Sequence, residues 1–502
     1  MIQRSLAFVY FIAFLIAARQ FLPLLGNHGI IPIGPFLNAV PFKESPSLFY
    51  WNSSDTFILA SAWTGVALSV FALTGLSECC MLVSAATWFL LWVLYLSFVN
   101  VGQLFYGFGW ETLLLETGFL AIFLGSKKSK PPVLVIWLYR WLLFRIMLGA
   151  GLIKIRGDEC WRNLTCLDYH YQTQPLPNPL SWHLHKLPAL WHKWEVLSTH
   201  FIELVLPFAY FVPGILCGVA GLITIFFHTM LILSGNLSWL NYITIVSAFA
   251  CLDDRFFSAI RHSRMVLGGN PRAYGSPTKS FGDDGMKLMG TFRKIVLCTL
   301  AALIGFLSIS PVTNMLSPRQ AMNASFEPLH LVNTYGAFGS VTRERDEIIF
   351  EGTDDLNPGD SAVWHEYEFK CKPGDVSRAP CVVSPYHYKI DWQMWFAAMS
   401  SWRYNPWILN FTAKLLQNDP ATLGLIGKNP FSEQPPKYVR AKLYRYRFTT
   451  AGERKQTGTW WSRTFLREYL PPLSLDNPAF HKILSALGIP SSSRNGFPLQ
   501  RE

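Results

Sequence analysis

The sequence predicts a multi-pass α-helical membrane bundle, followed by a mostly β C-terminal domain with at least one amphipathic helix. The composition supports a membrane protein, since 51% of the 502 residues are hydrophobic and only 15% are charged. Several apolar runs are long enough to cross a bilayer, and about seven to nine crossings result when short runs are counted. From Ser317 onward the apolar spacing changes toward the alternation that strands show.

Residues 1–153 are expected to form an N-terminal transmembrane bundle of about five spans. The turn Lys127-Lys-Ser-Lys130 is basic, and the positive-inside rule assigns it to the cytosol. This assignment predicts that the N-terminus lies in the cytosol and that residues 154–200 form a lumenal loop. The five spans are expected at Ser5–Leu25, Thr56–Leu76, Met81–Val101, Glu111–Leu124 and Pro132–Leu152.

The second half of the membrane region is less regular. Residues 201–252 are almost wholly apolar and fit either three spans, with breaks at Pro213-Gly214 and Gly235-Asn236, or one long span. Residues 253–294 are polar and rich in lysine and arginine, which predicts a cytosolic loop. The last span and a lumenal C-terminal domain are then expected at 295–316 and 317–502.

Two strands and one amphipathic helix are predicted in the C-terminal domain. Apolar and charged residues alternate at Glu366–Cys371, and Glu347-Ile-Ile-Phe-Glu351 is a second strand candidate. Asp391 is placed to cap a helix that continues to Met399. Two interpretations of one face of this helix stay open, a core face packed on the sheet or an exposed protein-binding surface. The candidate protein-binding aromatics on that face are Trp392, Trp395 and Phe396.

The net charge of +11 does not indicate a nucleic-acid partner, because the basic residues lie mostly between apolar runs and in the C-terminal third. The segment Lys437–Arg447 combines basic and aromatic side chains, as nucleic-acid-binding segments also do. In a lumenal domain it is instead expected to form a solvated strand, or a strand close to lipid headgroups.

The cysteines and glycosylation sequons indicate a membrane of the secretory pathway. Two cysteine pairs lie at short separations in polar segments, and neither has the Cys-x-x-Cys spacing of a thiol oxidoreductase. Asn236 is one of five sequon asparagines but lies too near the membrane to be modified. The disulfide candidates are therefore Cys160 with Cys166 and Cys371 with Cys381. The glycosylation candidates are Asn52, Asn163, Asn323 and Asn410.

Catalytic and metal-binding motifs are absent from the sequence. No nucleophile elbow, phosphate-binding loop, dinucleotide fingerprint or His-Glu-x-x-His occurs, and four histidines after Pro179 lack a recognisable ligand spacing. The expectation is therefore no catalytic residue, no metal and no cofactor. The histidines are His183, His185, His192 and His200. Chemistry would have to come from the intramembrane charges Glu111, Glu116, Arg140, Arg145, Lys154 and Glu203.

Two buried charge pairs are predicted among these residues. The basic turn makes the spans on either side an antiparallel hairpin, so residues equally far from the turn should lie at the same depth. This register pairs Glu111 with Arg145 and Glu116 with Arg140. Such pairs would offset the cost of inserting the charges and specify one helix arrangement, which favours a structural role over a catalytic one.

Seven long strings in the sequence are more specific, by their length and order, than any short motif. They are Tyr106–Leu124, Cys160–Pro179, Ser198–Leu204, Asn333–Gly339, Glu366–Asp375, Ser384–Ala398 and Pro471–Leu475. Through these strings the chain resembles the lipase maturation factors, and the resemblance extends over nearly the whole chain.

The resemblance implies an endoplasmic-reticulum membrane protein that assists the folding and assembly of homodimeric secreted lipases of the lipoprotein lipase group. It implies a chaperone-like, non-catalytic role without a cofactor. The expected partners are those lipases, lumenal folding machinery and membrane lipid. The alternative is a membrane-embedded enzyme related to carboxylase-type helical bundles, which would use buried Glu, Arg and His groups.

Overall fold

The computed structural model describes residues 1–253, 256–257, 285–359 and 361–486. Within these residues, six helical segments are long and apolar enough to cross a membrane. They are Ile2–Leu25, Asp55–Thr74, Met81–Val101, Val133–Arg156, Ile215–Ser234 and Gly290–Leu316. A region with a small antiparallel sheet and further helices follows, which confirms the predicted membrane bundle with a C-terminal domain. Most of the predicted loop 253–294 lies outside the described residues.

The first half of the bundle contains seven helices. The predicted span Glu111–Leu124 is a helix of only 13 residues, and the chain turns away from it toward Gly125, whose φ of 88° suits glycine. The helices are α1 (Ile2–Leu25), α2 (Ile33–Ala39), α3 (Asp55–Thr74), α4 (Met81–Val101), α5 (Gln103–Tyr106), α6 (Gly109–Ala121) and α7 (Val133–Arg156).

The predicted loop 154–200 is largely helical, and the hydrophobic block after it is divided. A π-helix, Phe201–Val205, and a 3-10 helix, Leu206–Phe211, continue α11, and the helical path ends before Gly214. The block thus holds one long helix between two shorter helical segments, with breaks at both predicted positions. The helices are α8 (Glu159–Arg162), α9 (Leu167–Thr173), α10 (Pro179–Leu184), α11 (Ala189–His200), α12 (Ile215–Ser234), α13 (Leu240–Ala248), α14 (Gly285–Leu307) and α15 (Ile309–Leu316).

Within its described residues, the C-terminal region combines four strands with five α-helices. The antiparallel sheet has the order β2-β1-β3-β4 and consists of β1 (Arg345–Thr353), β2 (His365–Glu366), β3 (Tyr438–Phe448) and β4 (Trp461–Leu473). All ten residues of the helix Trp407–Leu416 are buried, and the ring of Phe411 on this helix packs 5.1 Å from the ring of Phe350 on β1. The helices are α16 (Lys389–Ala398), α17 (Trp407–Leu416), α18 (Pro420–Leu423), α19 (Ala451–Thr457) and α20 (Pro478–Ala486).

One of the two predicted strands is much shorter than expected. Glu347–Glu351 lies inside β1, but β2 ends at Glu366, so the strand predicted through Cys371 is wrong. Tyr367, Phe369 and Cys371 are nevertheless all buried. The alternation at Glu366–Cys371 therefore predicts which side chains are buried, but it does not predict a continuous ladder of strand hydrogen bonds.

Asp391 does not cap its helix as predicted. Helix α16 begins two residues earlier, and Asp391 Oδ1 accepts hydrogen bonds from the backbone N–H of Cys371 and of Lys372, at 2.7 and 2.9 Å. Complete burial raises the pKa of this carboxyl to about 6. The side chain therefore ties α16 to the segment that carries the second cysteine pair.

Both candidate cysteine pairs are joined as disulfides in the structure, with Cα separations of 4.7 Å for Cys160–Cys166 and 5.4 Å for Cys371–Cys381. The first disulfide closes the segment after α7, where the Asp158 carboxylate accepts a 2.7 Å hydrogen bond from Arg343. This bond lowers the pKa of Asp158 to about 2. The loop after α7 is thus fastened to the start of the C-terminal region.

The four candidate glycosylation sites differ in exposure. Asn52, Asn163 and Asn323 lie at the surface, whereas Asn410 on α17 is buried. The Asn410 side chain donates a 2.6 Å hydrogen bond to the carbonyl of Ile30. A glycan on Asn410 is incompatible with this packing, so that prediction is wrong for the folded chain.

The two ends of the bundle are chemically different. At one end Arg4 pairs with Glu78, at 3.1 Å, and the nearby turn carries Lys127. At the other end the C-terminal region covers the helices. There Gln20 donates to the carbonyl of His387 at 2.8 Å, and Asn236 donates to the carbonyl of Cys381 at 2.9 Å. The basic turns and the C-terminal region therefore lie at opposite ends of the membrane-spanning helices.

Candidate functional site

The intramembrane carboxylates are paired, but with partners other than those predicted. The pairs Glu111–Arg145 and Glu116–Arg140 are both wrong, because Arg145 binds Glu116 and Lys389 binds Glu111. The register fails because α6 ends at Ala121 and the irregular stretch 122–132 separates it from α7, so distance from the turn along the chain does not give the depth of a residue. Glu116 consequently faces a residue more than one turn farther along α7.

The Glu116 carboxylate joins α7 to the segment that leads into the C-terminal region. Besides the ion pair with Arg145, its Oε2 accepts from the Tyr335 hydroxyl at 2.7 Å and from the Asn333 backbone N–H at 3.1 Å. Arg145 also donates to the Asn333 carbonyl at 2.6 Å. Glu116 and Arg145 are each 1% exposed, so both charges depend on this arrangement for compensation.

The Glu111 carboxylate reaches the C-terminal region directly. Its Oε1 lies 2.8 Å from Lys389 Nζ at the start of α16, and its Oε2 accepts a hydrogen bond from the Tyr95 hydroxyl. Lys389 also donates to the Phe105 carbonyl at 3.0 Å and lies over the Tyr106 ring. Lys389 is not among the partners predicted from the sequence, because it lies in the C-terminal region and not in an apolar run.

The remaining intramembrane charges are also compensated within the described part of the chain. Arg140 pairs with Asp253 at 3.1 Å and donates to the Ala250 carbonyl at 2.9 Å. Lys154 pairs with Glu203 at 2.5 Å. An unpaired charge costs roughly 2.5–3.5 kcal/mol at a membrane helix centre on insertion scales, so each pairing matters for assembly.

A further buried charge joins the sheet to the loop after α7. Arg345 on β1 pairs with Glu347 at 2.6 Å, and Lys372 pairs with the same carboxylate at 3.0 Å. Arg345 also donates to the Pro175 and Gln172 carbonyls, at 2.8 and 3.1 Å. The C-terminal region is thus held to the bundle through Glu116, Glu111 and Arg345.

The contacts of Glu111 and Glu116 are those of charges that stabilise the fold. Protein donors reach both oxygens of Glu111 and of Glu116, and the two side chains are 0% and 1% exposed. A general acid or base must reach a substrate proton within hydrogen-bond distance. The geometry at these two carboxylates therefore gives no support to the enzyme alternative.

The candidate protein-binding aromatics separate into buried and exposed side chains. Trp392 is 4% exposed and packs 4.9 Å from Trp110 at the start of α6, so its assignment to a binding surface is wrong. Trp395 is half-buried and donates its indole N–H to the Thr173 carbonyl at 3.0 Å. Phe396 is 43% exposed. Residues that share one face of a short helix therefore differ in burial, because neighbouring residues cover that face at Trp392 and leave Phe396 exposed one turn later.

An open cleft lies beside the exposed end of α16. It has a volume of about 300 Å³ and is bordered by Trp395 and by Met399, which is 48% exposed. The facing rim carries Arg343 and Glu344, which precede β1, and Asp346 at its start. Phe396, Met399 and this cleft together are called the α16 surface below. An apolar floor with a charged rim suits a polypeptide partner.

The four loop histidines do not form a shared site. His192 Nδ1 lies 3.0 Å from Glu195, and His200 Nε2 lies 3.0 Å from the Trp161 carbonyl. His183 packs against Trp182 and His185 packs against Phe448. In the described ranges no group of three or more His, Cys, Asp or Glu residues is arranged to hold a metal ion.

Removing one partner of the Glu111–Lys389 pair tests its role. Lys389→Met leaves Glu111 buried without compensation, and we expect the free energy of unfolding to fall by about 3–5 kcal/mol. Adding Glu111→Gln should recover part of this loss, because the uncompensated charge is removed. Unfolding in detergent, followed by tryptophan fluorescence, measures both variants.

Arg447→Met is the matched control for this comparison. It breaks a surface pair with Glu453, at 2.6 Å, and should leave the unfolding temperature nearly unchanged. A double variant that is as unstable as the sum of its two single variants would show that Glu111 and Lys389 are not coupled.

The comparison with known proteins covers nearly the whole chain. The family described as the lipase maturation factor transmembrane domain matches residues 1–259, and the lipase maturation factor C-terminal domain matches residues 331–471. No solved structure matches the chain.

Curated relatives agree with these family matches. Lipase maturation factor 1 of Bos taurus is 46% identical, over 94% of this chain and 88% of its own length. Lipase maturation factor 1 of Homo sapiens is 44% identical, over 94% of this chain and 87% of its own length. Lipase maturation factor 2 of Xenopus laevis is 30% identical, over 97% and 83% of the two chains. The chain therefore belongs to the lipase maturation factor family.

Proposed function

We propose that this protein is a maturation factor of the endoplasmic-reticulum membrane that assists the folding and assembly of homodimeric secreted lipases in the lumen. The observation that carries the proposal is the match to proteins named for lipase maturation over nearly the whole chain. The role is chaperone-like and non-catalytic. Its partners are lipases of the lipoprotein lipase group and lumenal folding machinery.

The α16 surface is the proposed contact with the lipase. Its helix is fixed at the first residue by Lys389 and at the last turn by Tyr469, whose hydroxyl donates to the Ala397 carbonyl at 3.0 Å. Phe396 is thereby presented on a rigid support. A rigid aromatic surface binds exposed apolar segments of an incompletely folded protein at low entropic cost.

The proposed orientation places the basic end of the bundle in the cytosol. The turn around Lys127 lies at that end, and the positive-inside rule favours cytosolic lysines in short loops. The C-terminal region covers the opposite end, so the proposed orientation puts the α16 surface in the lumen. The surface asparagines Asn52, Asn163 and Asn323 stay candidate glycosylation sites on that side.

Two engineered sequons test this orientation. Lys455→Asn creates the sequon Asn-Gln-Thr457 on exposed helix α19, and we expect one added N-glycan. Lys127→Asn creates a sequon with Ser129 in the basic turn and should add no glycan. Sensitivity of each variant to endoglycosidase H, after expression in mammalian cells, is the measurement. Glycosylation of the Lys127 variant alone would invert the proposed topology.

Removing the apolar side chains of the α16 surface tests the proposed function. We expect Phe396→Ser with Met399→Ser to lower secreted active lipase about fivefold or more, because central aromatic contacts dominate binding energy. The abundance of the variant should match the wild type, since both side chains are half exposed. The measurement is lipase activity per lipase protein in the medium of cells that depend on this factor.

Leu356→Ser is the matched control, because Leu356 is 73% exposed in a loop away from the α16 surface. It should leave secreted lipase activity unchanged. Normal activity with the Phe396 and Met399 variant would reject the α16 surface as the contact. Normal lipase activity in cells that lack the protein altogether would reject the proposed function itself.

A further inference from the structure

A second cleft lies at the basic end of the bundle, between the first turn of α7 and helix α14. Its volume is about 440 Å³. Val133 borders it on α7, and Leu297 and Cys298 border it on α14. Val133 is 72% exposed, and a Cβ built on Gly290 meets no atom within 4 Å. The cleft is therefore open to the side of the bundle and has apolar walls.

Three cationic side chains line the mouth of this cleft. Lys130 belongs to the basic turn before α7, and Arg293 and Lys294 belong to α14. An anion at the mouth would offset the repulsion among these like charges and accept charge-assisted hydrogen bonds from them.

The position of the cleft limits what can fill it. Both helices that form it belong to segments apolar enough to cross a membrane, so its apolar walls face hydrocarbon. Water gains no hydrogen bonds between Val133 and Leu297, whereas an acyl chain fits such a groove. An occupant must therefore combine an acyl chain with an anionic head at the level of Lys130 and Arg293.

We propose that the cleft is a binding site for one anionic phospholipid of the leaflet on the basic side of the membrane. The headgroup phosphate binds Lys130, Arg293 and Lys294, and an acyl chain lies along Val133 and Leu297. Basic pockets between membrane helices recognise anionic headgroups by this combination of charge and shape. The site is independent of the α16 surface and of the proposed lipase partner.

A bound lipid would act on the connection to the C-terminal region. Helix α14 continues into α15, which ends at Leu316, and the C-terminal region begins directly after it. A phospholipid wedged between α7 and α14 fills their lipid-facing groove. It thereby holds α14 beside α7, the helix whose Arg145 binds Glu116.

Native mass spectrometry of the full chain in detergent, with added phosphatidylinositol or phosphatidylcholine, tests the site. The wild type should retain phosphatidylinositol at least tenfold more than phosphatidylcholine. Arg293→Gln with Lys294→Gln should abolish this preference, and Leu297→Trp should lower phospholipid binding by filling the acyl groove. Equal retention of the two lipids by the wild type would overturn the proposal.

Lys127→Gln with Lys128→Gln is the matched control, since both lysines are exposed at the same end of the bundle but do not line the cleft. It should keep the preference for phosphatidylinositol. An equal loss in the two double variants would show general surface attraction instead of a site.

Glycerophosphoinositol, which has the headgroup without acyl chains, should bind at least tenfold more weakly than the lipid, and equal binding would reject the acyl groove. Unfolding temperatures of all variants establish that they are folded.

Discussion

Two buried carboxylates on the short helix α6 link the membrane bundle to the C-terminal region. Glu111 obtains its compensating charge from Lys389, and Glu116, which pairs with Arg145 on α7, also accepts a hydrogen bond from the Asn333 backbone N–H. A buried charge that loses its partner costs about 3–5 kcal/mol, a large fraction of the stability of a typical domain. The bundle therefore cannot keep α6 in place without the C-terminal segments that carry Asn333 and Lys389.

This constraint determines how the C-terminal region is presented. Lys389 is the first residue of α16, so the ion pair with Glu111 places the whole helix at the end of the bundle. Trp392 then packs against Trp110, while Phe396 stays at the surface one turn later. The buried ion pair between Glu111 and Lys389 thus determines which aromatic side chains of α16 are accessible to a partner protein.

Much of the architecture follows from local sequence. Apolar runs of sufficient length predict the long helices, and Pro213-Gly214 and Gly235-Asn236 predict the breaks in the hydrophobic block. The short apolar run between Glu347 and Glu351 predicts β1. These features depend on neighbouring residues, because span length and backbone freedom are local properties. The basic end of the bundle is likewise visible in the position of the basic turn.

The candidate site could be predicted only in part. The cost of burying Glu111 and Glu116 predicts that they have partners, but Lys389 lies 278 residues from Glu111 in a region expected to be separate. The helical periodicity of α16 groups Trp392 with Phe396 on one face. It does not predict how far along this face the neighbouring helix α6 covers the side chains. Partner choice and partial burial are both properties of the assembled fold.

The coupling between the bundle and the C-terminal region can be measured by hydrogen exchange. The Asn333 amide donates to the buried Glu116 carboxylate, so peptides covering 331–335 should be as protected as those of α6 and α7. Glu116→Gln should accelerate exchange at 331–335 and leave the β3–β4 ladder unchanged. Rapid exchange at 331–335 in the wild type, with α6 and α7 still protected, would contradict the account.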